Sequence, residues 1–276
     1  MPHSRIVFFG LALFVSACAP FPDGPPDLAP STDRGEVIPR AEPKSSQGNP
    51  PYYEAFGQRY YVMESNSGYV ERGVASWYGK KFHGRNTANG EIFDMYAMTA
   101  AHKTLPLPTY AQVTNLKNGK SVVIRINDRG PFVHNRLIDL SWYAANELDF
   151  DQAGTTLVEV RALDPSVPEV QQVATAEPMR RVPEQPEPGF EESDPPPEEN
   201  RLYLQVGAFA ELDNAKRMRN RLENQDIGNV VIHDSEDSEQ RLYKVRIGPV
   251  QTVDQFDGLV ENLQSLGIYE SHLAYQ

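Results

Sequence analysis

The chain has one cysteine, Cys18, in 276 residues. That excludes an intramolecular disulfide and a cysteine-rich zinc site. Cations are scarce as well: 26 Lys and Arg stand against 38 Asp and Glu, for a net charge of -12. So acidic a chain argues against nucleic acid as a partner. The apolar run from Ile6 to Ala17 has 12 residues, too short to span a bilayer. There is neither a Ser-His-Asp pattern nor a clustered set of metal ligands, which removes the hydrolytic chemistries built on them. No metal and no other cofactor is expected.

What the amino end does carry is an export signal. Arg5 and the terminal amine form a small positive region ahead of Ile6 to Ala17, the right length for a signal-peptide core. Val15-Ser16-Ala17-Cys18 resembles a bacterial lipobox, with residues 1–17 as the signal peptide and Cys18 as the lipidation site. An ordinary cleaved signal peptide with an incidental cysteine is the alternative. Lipidation at Cys18 supplies more than one acyl chain, enough for stable anchoring. Ala19 in place of an aspartate implies sorting to the outer membrane, with the protein facing the periplasm.

A chain of this length allows about two domains, and the uneven spread of its 23 prolines marks their limits. Residues 18–51 begin with Cys18 and are rich in Pro, Ser, Gly and Asp without apolar periodicity, so they read as a disordered tether. Residues 164–200 hold nine prolines and ten acidic residues against two arginines. Proline stiffness and self-repulsion make such a segment an extended linker that buries no core.

The unit between them, residues 52–163, reads as mainly β. Short apolar runs at 73–78, 110–115, 121–126 and 156–161 are separated by turn signals such as Asn89-Gly90 and Asn118-Gly119. A helix is predicted from Ser141, as N-cap, to Leu148, and a shorter one around Ala97 to His102. The pattern leaves a small barrel and a sandwich both open.

Asp128 draws most attention, because an apolar strand delivers it to Asn127-Asp128-Arg129-Gly130-Pro131-Phe132. A half-buried carboxyl group there would keep its proton at neutral pH, as a general acid must. A turn aspartate capping backbone amides is the competing reading. Arg129 would depress the Asp128 pKa if it points at it. If it points away, it binds sugar or braces the loop. Glu91 follows the Asn89-Gly90 turn and His102 closes Thr99-Ala100-Ala101-His102. Alone, these read as a solvated turn residue and a structural histidine. Trp77 and Tyr78 are sugar-stacking candidates or core residues, and His83 reads as surface.

The stretch from Arg72-Gly73-Val74-Ala75-Ser76-Trp77-Tyr78-Gly79 to Asp139-Leu140-Ser141-Trp142 resembles the double-psi β-barrel of the rare lipoprotein A family, septal lytic transglycosylases of bacteria. The resemblance implies a six-stranded double-psi β-barrel with Asp128, Glu91 and His102 as its catalytic set. His102 would then hold Asp128 in its working rotamer, while Trp77, Tyr78 and Arg129 contact substrate. Implied too is endolytic cleavage between MurNAc and GlcNAc with a 1,6-anhydro product. The runner-up is a non-catalytic, expansin-like wall-binding lipoprotein, which the complete Glu/His/Asp set disfavours.

Residues 201–276 read as βαββαβ, with strands at 202–209, 230–232, 242–250 and 269–274 and helices at 213–224 and 253–266. Val206-Gly207-Ala208-Phe209 recurs as Ile247-Gly248-Pro249-Val250, marking a doubled βαβ. An α+β unit with one open sheet face follows. Strand parity turns Leu202, Leu204 and Val206 to the helices and Tyr203 and Gln205 outward, with Lys244 and Arg246 beside them. Gln205-Val206-Gly207-Ala208-Phe209 and Lys244-Val245-Arg246-Ile247-Gly248-Pro249-Val250 resemble a SPOR domain. Implied are glycan binding through Tyr203, Gln205, Lys244 and Arg246, a preference for denuded septal strands, and division-site proteins as candidate partners.

Overall fold

The computed structural model describes residues 37–133, 135–165, 201–237 and 240–275. The expected signal peptide, Cys18 and nearly all of the 164–200 linker lie outside the described residues. The first unit opens with a hairpin, β1 (Tyr52–Ala55) and β2 (Gln58–Tyr61). The strands β3 (Val70–Trp77), β4 (Thr99–His102), β5 (Thr109–Asn115), β6 (Ser121–Asp128), β7 (Arg136–Leu140) and β8 (Thr155–Ala162) follow. One helix, α1 (Trp142–Glu147), sits between β7 and β8.

The six strands β3 to β8 close into a barrel in the order β3-β7-β4-β6-β5-β8. The pairs β3/β7 and β4/β6 are parallel and the others antiparallel. Closure leaves the barrel no free edge. Ile124, Ile126, Ile138, Leu140, Val158 and Val160 are fully buried in the barrel core. Each such side chain stabilises the fold by about 1.5–3 kcal/mol. Ser141 caps α1 as anticipated, accepting from the Ala144 N–H.

Two local expectations give way. The predicted helix around Ala97 to His102 is strand β4, paired to β6 on one side and β7 on the other. Alanine favours helix only weakly, and two hydrogen-bonded ladders outweigh it. The expected tether enters the described structure at Val37 and from there lies along the barrel. Pro39 is buried. The Ser45 N–H donates to the Leu107 carbonyl (2.8 Å), and the Asn49 side chain bonds both the N–H and the carbonyl of Leu107 (both 2.7 Å). Glu42 accepts from Arg125 (2.8 Å) and from the Tyr110 hydroxyl.

The second unit is β9 (Leu202–Phe209), α2 (Leu212–Glu223), β10 (Val230–Asp237), β11 (Gln240–Ile247), α3 (Val253–Ser265) and β12 (His272–Tyr275). Its sheet runs β10-β11-β9-β12, all antiparallel. Leu204, Leu222, Val245 and Leu263 meet in its core. The βαββαβ order read from sequence is the one observed.

The strap predicts an acid sensitivity. Hydrogen bonding to Arg125 holds Glu42 down at about 2, against an ordinary 4.5. Its stabilising effect is therefore complete above pH 4.5 and is lost as pH falls toward 2. Glu42→Gln is expected to lower barrel stability at pH 7 by about 1 kcal/mol, discounted for solvent screening, with the gap to wild type closing near pH 2. Urea unfolding followed by tryptophan fluorescence checks it, because both tryptophans, Trp77 and Trp142, lie in the barrel unit.

Candidate active site

Register brings four side chains into one row. Ser76 on β3 pairs with Asp139 on β7, Asp139 with Ala101 on β4, and Ala101 with Asp128 on β6. Directly paired residues share a face of the sheet. Two carboxyl groups thus stand two strand spacings apart, roughly 10 Å between backbones, with only the Ala101 methyl between them.

Asp128 ends β6. Its Oδ1 accepts from the N–H of Ala88 (2.7 Å) and of Arg129 (2.8 Å). No described residue hydrogen-bonds its Oδ2. Burial pushes the carboxyl above its ordinary value, and the two N–H donors and the Arg129 charge only partly oppose it. Gly130, at φ 135°, then turns the chain away in a conformation that L side chains rarely adopt.

Arg129 points away from the Asp128 carboxyl. Its Nε donates to the Gly48 carbonyl (2.9 Å), and its Nη1 to the carbonyls of His102 (3.1 Å) and Leu105 (2.6 Å). Nη2 donates to the Asn49 Oδ1 (3.2 Å). With these acceptors the guanidinium braces the loop. Burial lowers it to about 10, and it remains a cation at neutral pH.

His102 does not touch Asp128, contrary to expectation. It is 2 % exposed. Its Nδ1 accepts from the N–H of Thr104 (3.2 Å) and Leu105 (3.0 Å). That places the ring proton on Nε2, which lies 2.9 Å from the Tyr69 hydroxyl, and Tyr69 donates onward to Glu71 (2.8 Å). Burial, with the charges of Lys103 and Arg129, drops the imidazole to about 3. His102 is thus a neutral brace for the turn whose carbonyls grip Arg129.

Glu91 is fixed by Arg125 (2.7 and 2.8 Å), Asn127 (2.8 Å) and Asn89 (2.9 Å). Burial alone would raise it, but these donors hold its carboxyl below the usual range. It clamps the 87–91 turn to β6, and that turn supplies the Ala88 N–H to Asp128. The two carboxyl groups are thus shifted in opposite directions, Asp128 up by burial and Glu91 down by its hydrogen-bond donors.

Trp77 and Tyr78 take the packing role of the two read for them. The Trp77 indole N–H donates to the Asp151 carbonyl (3.1 Å). The Tyr78 ring stacks on Phe93 at 4.1 Å and its hydroxyl is buried. His83 is exposed, as read. Asp139 escaped the sequence reading, although its alternation within Ile138-Asp139-Leu140 marks it as facing away from the core. Its Oδ1 accepts from the Ser76 hydroxyl, and burial raises its pKa against the pull of Ser76, Lys103 and Arg136.

On the second unit, Tyr203, Gln205 and Arg246 lie on the non-helical sheet face, but they are buried and not outward in solvent. Arg246 donates to Gln205 (3.2 Å) and to the Tyr275 carbonyl (2.7 Å), and Lys244 to Ser235 (3.1 Å). The start of β3 meets this face at Gln205 and Arg246. Glu71 and Arg72 face Gln205, Lys244, Arg246 and His272 across a cleft of about 450 Å³, and Arg72 lies over the Tyr275 ring at 4.4 Å.

Among the described residues no group of three or more His, Cys, Asp or Glu is placed to hold a metal ion. The barrel and its buried carboxyl group define the class. Residues 70–160 match the lytic transglycolase family, and residues 198–273 match the SPOR domain family. The chain is 39 % identical over 256 residues to the endolytic peptidoglycan transglycosylase RlpA of Pseudomonas aeruginosa strain UCBPP-PA14, covering 80 % of this chain and 74 % of the relative. It is 46 % identical over 169 residues to the RlpA of Vibrio cholerae, covering 58 % of this chain and 64 % of that one. A solved SPOR domain of Pseudomonas aeruginosa RlpA aligns at 29 % identity and a TM-score of 0.26, covering 27 % of this chain and 99 % of that one. The chain belongs to the rare lipoprotein A, or RlpA, family.

A buried neutral histidine makes a testable demand. The folded value near 3 lies below the unfolded 6.5, so the stability gained from neutral His102 is complete above pH 6.5 and is lost as pH falls toward 3. In an NMR titration the His102 ring is expected to keep its Nε2–H tautomer, without protonating, from pH 7 down to about 4.

Proposed function

We propose that this chain is an endolytic peptidoglycan lytic transglycosylase in which Asp128 is the acid and then the base. The half-buried Asp128 carboxyl at the end of β6, its pKa raised by burial and its Oδ2 unengaged by any described residue, is the observation that carries this reading. Asp128 gives its proton to the glycosidic oxygen between MurNAc and GlcNAc. The C1–O electron pair leaves with that oxygen, and an oxocarbenium-like centre forms at C1. The C6 hydroxyl of the same MurNAc attacks C1 and returns its proton to the Asp128 carboxylate. The product is 1,6-anhydroMurNAc, and the carboxyl is reset without water. With the nucleophile already on the substrate, high effective molarity replaces a water-activating group. Glu91 and His102 act through the backbone, holding Ala88 and Arg129 where Asp128 needs them.

The SPOR-type unit supports binding of glycan strands, with Tyr203, Gln205, Lys244 and Arg246 the residues of its non-helical face. In this reading it prefers strands stripped of stem peptides and brings the enzyme to the division septum, where cutting aids cell separation. Cys18 anchors the protein to the outer membrane, facing the periplasm. In this reading the linker of residues 164–200 lets the two units engage separate points of one polymer.

Digestion of peptide-free strands with the mature chain tests this. Anhydro-ended fragments are expected from the wild type, with at least a roughly hundredfold loss of rate in Asp128→Asn, the scale of general acid–base catalysis. Reducing-end products would make it a hydrolase. Strand binding without any cleavage would make it a wall-binding module.

A further inference from the structure

The hairpin ahead of the barrel lies outside the matched 70–160 segment, yet it is built against the Asp128 loop. Tyr53 and Tyr60, paired across β1 and β2, stack at 5.4 Å. Phe132, four residues beyond Asp128, closes on Tyr53 (6.1 Å), Tyr60 (5.6 Å) and Phe56 (5.7 Å). Two further contacts fasten the hairpin to the site. The Tyr53 hydroxyl donates to the carbonyl of Lys103 (2.8 Å), next to His102, and the Arg129 guanidinium lies 5.8 Å from the Tyr53 ring centre. Burial pushes Tyr53 up to about 12, against the pull of the Arg129 charge.

The tip of this hairpin is unusual. Phe56 and Gly57 form a two-residue loop with φ of 50° and 79°. Asn, Asp or Gly normally fills the first place of such a turn, because a bulky side chain is strained there. Here it holds a phenylalanine that is 89 % exposed. Tyr61 (65 %) and Tyr52 (49 %) are also exposed, on the outer face beside the Glu54–Arg59 ion pair. A strained backbone that presents an apolar ring to solvent, packed on Phe132 of the loop that follows Asp128, points to recognition.

We propose that the β1–β2 hairpin and Phe132 form a carbohydrate-stacking platform that extends the Asp128 site along the glycan strand. The inference rests on the glycan-cleaving reading above and names a further binding site for the same polymer. Aromatic rings pack against the C–H faces of pyranoses, and the interleaved Gln58, Arg59 and Glu54 offer partners for hydroxyl and N-acetyl groups. Continuity with Asp128 through Phe132, Tyr53 and Arg129 favours the strand as occupant over a second copy of the chain. Each strand of the hairpin is about 13 Å long, enough for more than one sugar ring.

Hydrogen exchange on the full-length Asp128→Asn chain, with and without peptide-free glycan strands, is the test. The amides of residues 52–61 are expected to slow with the strands present, together with those of β6. Slowing in β6 or the SPOR sheet but not in 52–61 overturns the platform and leaves the enzyme reading standing. No slowing anywhere in the barrel, with no cleavage by the wild type, removes both. Phe56→Ala, at a position too exposed to threaten folding, is expected to raise KM for long strands roughly tenfold with kcat unchanged, the scale of one lost stacked ring. An unchanged KM overturns the proposal, as does concentration-dependent self-association that Phe56→Ala abolishes.

Discussion

The site depends on where one guanidinium spends its hydrogen bonds. Arg129 is adjacent in sequence to Asp128, and a direct ion pair between them would hold the carboxyl ionised and useless as an acid. Instead the guanidinium is taken up by the carbonyls of Gly48, His102 and Leu105 and by the Asn49 amide oxygen. A buried cation satisfied by neutral acceptors keeps its charge without cancelling a nearby acid. It then exerts only a through-space pull on Asp128, which burial outweighs.

Those acceptors must be held in place, and this is where Glu91 and His102 enter. His102 fixes its own turn through two backbone N–H groups, so that the carbonyls of residues 102 and 105 converge on Arg129. Glu91 ties Arg125, Asn127 and Asn89 together, locking the turn that offers Ala88 to Asp128. Neither side chain meets the reacting carboxyl. Each sets its surroundings to the fraction of an ångström that a proton transfer demands. In the proposed reading Asp128 handles the proton, and Glu91 and His102 act on it only through the backbone.

The sequence made the barrel strands 121–128 and 155–162 visible through their β-branched runs, and α1 through Ser141. It also marked Asp128 at the end of an apolar strand ahead of a Gly-Pro turn, but left an acid and a turn aspartate capping backbone amides both open. Oδ1 does accept from two backbone amides, while burial raises the carboxyl. Strand β4 was hidden: Thr99-Ala100-Ala101-His102 carries no β signature, and only pairing with β6 and β7 makes it a strand. The direction of Arg129 was equally hidden, since it depends on Gly48 and Asn49, some eighty residues away. Tyr203, Gln205 and Arg246 were assigned the correct sheet face by parity, but all three are buried, and Gln205 and Arg246 meet the start of β3, a contact no local pattern encodes.

An enzyme that cuts within a polymer cannot enclose its substrate, so its cleft must stay open at both ends while still desolvating one carboxyl group. A six-stranded barrel alone presents a convex wall with little depth. Here the missing walls come from segments that precede the barrel. Glu42 to Asn49 run along β5 and β6 and meet Arg129 from one side. The β1–β2 hairpin stands on the other, against Phe132 and Lys103. One of these segments, Glu42 to Asn49, is chain that composition alone assigns to a tether. The barrel supplies the carboxyl group, and the chain that leads into it supplies acceptors that hold Arg129 and rings that pack on Phe132.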